Sequence, residues 1–133
     1  MEHQQKIIEA IKSAIKHVES SMKALVNRDK NEVADSVWQA AADLEYANFL
    51  FSIIMQDESE SSSWKLDTRS KQVEIGPLLM SAQNLLRNAE SGLDVGELRE
   101  TYKKTWMARG YLLKVQGILE KRRKEGKTKI SQG

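Results

Sequence analysis

The apolar residues near the N-terminus recur in a rhythm that suits a helix and no other regular structure. Ile8, Ile11, Ile15, Val18, Met22 and Leu25 fall at alternating steps of three and four. Side chains at that spacing line one stripe of an α-helix, whereas a half-buried strand alternates by two. Lys12, Lys16, Glu19 and Lys23 fill the opposite side. The pattern predicts a helix over 2–27 whose narrow stripe must find partner helices.

The same rhythm returns three times. Val33, Val37, Ala40, Leu44, Ala47, Phe51 and Ile54 predict a second helix over 30–56. Leu78, Leu79, Ala82, Leu85, Leu86 and Ala89 predict a third over 76–91, opened by Gly76-Pro77 and stopped by Gly92. Val95, Leu98, Tyr102, Trp106, Leu112, Leu113, Val115, Ile118 and Leu119 predict a fourth over 95–125. Asp29 and Glu32 stand at the spacing of a capping box, and Asp94 and Glu97 repeat it. A shift of 65 positions pairs these caps, and also Ala24 with Ala89, Tyr46 with Tyr111 and Ile53 with Ile118. The reading is an all-α, antiparallel four-helix bundle built from two similar αα-hairpins, in up-down-up-down order. Residues 1–125 form its single domain.

Between the hairpins the rhythm stops. Asp57-Glu58-Ser59-Glu60-Ser61-Ser62-Ser63 is acidic and serine-rich, and Trp64 follows it. Such a segment has little to bury, so 57–74 is expected to be a mobile loop. A loop that long leaves room for the second hairpin to be placed otherwise, or to be exchanged between two copies. Residues 126–133 are expected to be a flexible basic tail.

Composition removes many functions. The chain has no cysteine, which excludes disulfides, thiolate zinc sites and a cysteine nucleophile. Its two histidines, His3 and His17, have no glutamate three residues before them, so the Glu-x-x-His pairs of di-iron bundles are missing. No apolar run is long enough to cross a bilayer, and the polar start Met1-Glu2-His3-Gln4-Gln5-Lys6 is not a secretory signal. A cytoplasmic protein with no membrane association is expected.

Carboxylate chemistry is also poorly served. Helical pyrophosphatases of the MazG kind carry Glu-x-x-Glu followed by Glu-x-x-Asp. Here Glu32-x-x-Asp35 and Glu97-x-x-Glu100 come in the reverse order and far apart, and capping accounts for Glu32 and Glu97. The run from Trp38 to Ala47 has the general look of HEPN-type helical nucleases, but no arginine precedes either histidine to make their Arg-x4–6-His motif. Phosphate loops, dinucleotide fingerprints and nucleophile elbows are absent. No cofactor, no metal and no catalytic residue is predicted, and the chain is read as a non-enzyme.

Three groups of residues stand out as candidate sites. Helix 2 carries Trp38, Tyr46, Phe49, Leu50 and Ile53 off its main stripe, more apolar surface than one partner face can cover. They form a candidate interface with a second copy, as a dimer, or with another helical protein. The C-terminal end concentrates basic charge: from Lys114 to Gly133 there are seven basic residues and two acids. Lys121, Arg122, Arg123, Lys124, Lys127 and Lys129 are candidate contacts for nucleic acid or an acidic partner, without interleaved aromatics for base stacking. Arg109 and Tyr111 could border an anion pocket; the favoured reading of Arg109 is structural, pairing with Asp43 or Glu45 or snorkelling. Gly110 and Gly117, seven apart on one helix face, suggest a close helix approach or a groove. The leading expectation is a protein-interaction module that self-associates. Nucleic-acid binding through the basic end, and a small helical enzyme with an anion or nucleotide pocket, are the alternatives.

Overall fold

The computed structural model describes residues 2–55 and 74–132, with side chains through residue 125. Among the described residues there are four α-helices: α1 Glu2–Val26, α2 Lys30–Met55, α3 Ile75–Asp94 and α4 Leu98–Gln132. They pack as a four-helix bundle. The face predicted for α2 is the face it buries, with Val33, Val37, Ala40, Leu44, Ala47 and Phe51 inside. On α1 the buried face is rotated from the predicted stripe. Ile7, Ile11, Ala14, Val18, Ser21 and Ala24 line the core, while Ile15, Met22 and Leu25 are only partly buried at its edge.

The order of the helices differs from the simple expectation. α1 touches α2 and α3, and α4 touches α2 and α3, so α2 and α3 sit diagonally. The start of α3 lies at the end of α1, where a side chain added at Gly76 would sit 3.7 Å from Leu25. The end of α3 lies at the start of α1, where Ala89 joins Ile7, Ile11, Leu50 and Phe51 in one cluster. Hence α2 and α3 run the same way, and each pair of neighbours is antiparallel. The order is up-down-down-up, not up-down-up-down. The cause is the length of the link. Short loops force successive helices to be antiparallel neighbours, but 18 residues separate Met55 from Glu74. That is enough chain to join opposite ends of a bundle that is ~40 Å long. The expected loop 57–74 lies outside the described residues except for Glu74, the N-cap of α3.

Both hairpin turns are built alike. In the first, the Arg28 amide donates to the Leu25 carbonyl (3.1 Å) and the Asp29 amide to the Ala24 carbonyl (2.9 Å). In the second, Gly96 donates to Leu93 (3.2 Å) and Glu97 to Gly92 (2.9 Å). This is a Schellman ending, which needs one residue in the left-handed region. Arg28 (φ 59°) and Gly96 (φ 78°) supply it. Each motif's last residue then becomes the N-cap of the next helix. Asp29 Oδ1 accepts from the Glu32 amide at 3.2 Å. The reciprocal half of the capping box is not made. The Asp29 amide is already used by Ala24, and Glu32 Oε1 accepts from the Ser36 hydroxyl at 3.0 Å.

These bonds fix the true register of the repeat. Asp29 corresponds to Glu97, a shift of 68 positions and not 65. In this register Ile7 meets Ile75, Ala14 meets Ala82, Leu25 meets Leu93, Trp38 meets Trp106, Ala40 meets Ala108 and Leu44 meets Leu112. The two hairpins are related by an approximate twofold axis across the bundle. Two expected roles change with the register. Asp94 is the last residue of α3, not a cap of α4. Gly92 does not stop α3 but lies inside it, where an added Cβ would come within 2.5 Å of Thr101 Oγ1. The close helix approach is therefore at Gly92. Gly117 faces open space.

Candidate functional site

α2 presents a second apolar stripe on the face turned away from the core. Trp38, Ala42, Tyr46, Phe49 and Ile53 follow one another at steps of four, four, three and four, and all are exposed. Trp38 is 66% accessible and Phe49 60%. The stripe runs ~22 Å along the helix. Leu50 does not belong to it: it is buried at 4% exposure and packs in the cluster with Ile7, Phe51 and Tyr102. One helix turn carries both faces here, so the sequence shows an apolar end without showing which residues point inward.

Arg109 and Tyr111 stand on different sides of α4. Two residues apart on a helix, their side chains diverge by about 200°. Arg109 points to α2, with Nη2 4.0 Å from Glu45 Oε1. Tyr111 is partly buried and packs against the main core. Asn48 and Thr105 complete the polar strip between α2 and α4, the threonine hydroxyl lying 2.9 Å from Asn48 Oδ1. Among the described residues no group of three or more histidines and carboxylates could hold a metal ion. None of the helices there is long and apolar enough to cross a membrane.

The basic end has more structure than a tail. α4 continues as helix to Gln132, so the expected flexible segment is helical through that residue. The side chains of Lys127 and Lys129 lie outside the described residues. Lys121, Arg122, Arg123 and Lys124 are exposed on α4 close to the α1–α2 turn. Arg123 Nη2 lies 3.3 Å from Glu120 Oε1. Here the bundle opens into a recess of about 370 Å³. Its apolar lining comes from Leu25, Val33, Ala34, Ile75 and Leu119, and Arg28, Lys30, Arg122 and Arg123 stand around it. Among the described residues no carboxylate lines it. A shallower groove of about 710 Å³ adjoins it, shares Asn31, Ala34, Leu119 and Arg123, and leads to Trp38.

Charge counting along the chain finds Arg122 and Arg123 but misses Arg28 and Lys30. Those two stand more than 90 positions earlier and arrive only because α1 ends where α4 ends. The signal that could have found the recess is the 68-residue repeat. No family model, curated protein or solved structure matches this chain.

Proposed function

We propose that this chain is a non-enzymatic interaction module that self-associates through the outer stripe of α2. The observation that supports this reading is the stripe itself. α2 already buries one full face in the bundle, yet carries a second apolar line from Trp38 to Ile53. Large contiguous apolar patches are uncommon on monomeric proteins. The stripe is also complementary to its own reverse. Two copies laid antiparallel about a twofold axis set Trp38 against Ile53 and Ala42 against Phe49, large beside small, with Tyr46 near the axis. Helices packed this way interlock at a shallow angle.

Sedimentation equilibrium over a wide concentration range tests the reading. A monomer–dimer equilibrium is expected, and Phe49→Lys with Ile53→Glu should yield a monomer with unchanged helical circular dichroism. A wild-type protein that stays monomeric at the highest accessible concentration would overturn it. So would a dimer that the double substitution leaves intact.

A further inference from the structure

We infer that the recess between the α1–α2 turn and α4 binds a small amphipathic anion, specifically an aliphatic carboxylate with its chain inside and its head at the rim. The 68-residue repeat maps the two ends of the bundle onto each other. At the α3–α4 turn end, Phe51 and Tyr102 stack with ring centroids 5.1 Å apart and planes inclined by 12°. Both rings are buried, and they close that end. The residues at the equivalent positions of the other end are Leu119 and Ala34. A phenyl ring has become isobutyl and a phenol has become methyl. The space they would fill is the recess of about 370 Å³, within the ~300–1,000 Å³ range of small-molecule sites.

The rim changes together with the plug. At the closed end the corresponding positions are Gly96, Leu98, Ile54 and Met55; at the open end they are Arg28, Lys30, Arg122 and Arg123. A packing defect would gain nothing from such a change, since apolar side chains would cover it better. Among the described residues, Arg28, Lys30 and Arg122 form no ion pair, so their charges are available to a ligand. α2 and α3 also begin here, at Lys30 and Ile75, and helix N-termini favour negative charge.

The two halves of the site specify the two halves of the ligand. Guanidinium groups bind carboxylates in paired hydrogen bonds. Among the described residues the lining below them is aliphatic and holds no aromatic ring, which suits a hydrocarbon chain better than a nucleobase. A lipid held in a bilayer offers its head first and its tail away from the protein, the reverse of what the recess accommodates. The site does not depend on self-association, because its residues lie outside the α2 stripe.

Calorimetric titration with decanoate below its micellar concentration tests the assignment, with decanol and decyltrimethylammonium as the neutral and cationic counterparts. Saturable decanoate binding is expected, with decanol at least about tenfold weaker and the cation silent. Ala34→Tyr with Leu119→Phe, which writes the closed-end pair into the open end, should abolish binding while the protein remains folded by circular dichroism. Arg122→Gln with Arg123→Gln should weaken decanoate about tenfold and leave decanol unchanged. That surface variant decides the matter if the plugged one does not fold. The assignment fails if the wild type does not bind decanoate, or if binding survives the plug or is lost in Phe49→Lys. It fails equally if anionic phosphatidylglycerol vesicles, or a short oligonucleotide, bind while decanoate does not.

Discussion

The two turns of this molecule share the pair of backbone hydrogen bonds of a Schellman ending, yet they reach that geometry with different residues. Gly96 takes the left-handed position of the second turn without steric cost, while Arg28 holds it in the first at φ 59°. Four positions earlier the contrast reverses. The second hairpin needs Gly92 to let Thr101 approach, and the first has Ala24 and Val33 at the same places. Similar hairpins can therefore differ in where they concentrate strain and where they concentrate volume. The ends of the bundle carry the same lesson further: one is closed by stacked rings, the other left open and ringed by cations.

The sharpest way to break that comparison is to open the closed end. Phe51→Ala removes a fully buried ring from under Tyr102 and should destabilise the protein by about 3–5 kcal/mol. Leu119→Ala, its counterpart, removes a partly buried side chain that already borders a recess, so its cost should be about 2 kcal/mol or less. Urea unfolding of both variants measures the difference. Equal losses would mean that the two ends are packed alike and that the recess is not a real asymmetry.

The turns give the next effect. Gly92→Ala forces a Cβ to within 2.5 Å of Thr101 Oγ1, an overpacking that should cost about 1–3 kcal/mol. Adding Thr101→Ala should recover most of that loss in a double-mutant cycle, because it removes the atom that is struck. At Arg28 the sign is opposite. Arg28→Gly relieves a left-handed backbone and should raise stability by about 0.5–1 kcal/mol, seen as a higher midpoint in urea. A loss on Arg28→Gly would show that the arginine side chain contributes more to the turn than its backbone costs.

How much of this could be read along the chain follows from what each feature requires. Fold class and the buried face of α2 were legible, because steps of three and four between large apolar residues mark a helix face directly. The register of the repeat was not. A shift in error by three residues keeps an apolar residue near the same helix face, and Asp94 with Glu97 imitates Asp29 with Glu32 in spacing alone. Trp38 and Trp106 were the better guide, since tryptophan is rare and both lie 68 apart. Helix order was hidden by the long link, which removes the constraint that short loops impose. Leu50 is buried where the sequence suggests an exposed position, because a helix end apolar on both faces does not say which face turns inward. The recess is legible only in the 68-residue register, because a cavity is made of side chains that are smaller than their counterparts, and a shift of 65 does not align those counterparts.

The smallest effect tests the repeat at its own axis. Glu19 on α1 and Arg87 on α3 are equivalent positions of the two hairpins, and they pair with each other at 2.8 Å. In two identical hairpins this position would face its own copy, acid against acid or base against base. A single chain holding both hairpins can place opposite charges there. Glu19 also accepts from Gln83 at 3.1 Å, which ties the two helices more firmly. Both charged side chains are about half exposed or more, so screening keeps the pair's contribution to ~0.5 kcal/mol. Glu19→Arg alone should lower stability by about that amount or slightly more, since two arginines then meet. Combining it with Arg87→Glu should restore most of the loss, less the bond to Gln83. Thermal unfolding at low and high salt separates the cases. A single variant whose loss disappears at high salt, and a double variant that melts like the wild type, would show that the axis selects for opposite charge and not for a particular residue. A loss that salt leaves untouched would instead assign the effect to the hydrogen bond with Gln83.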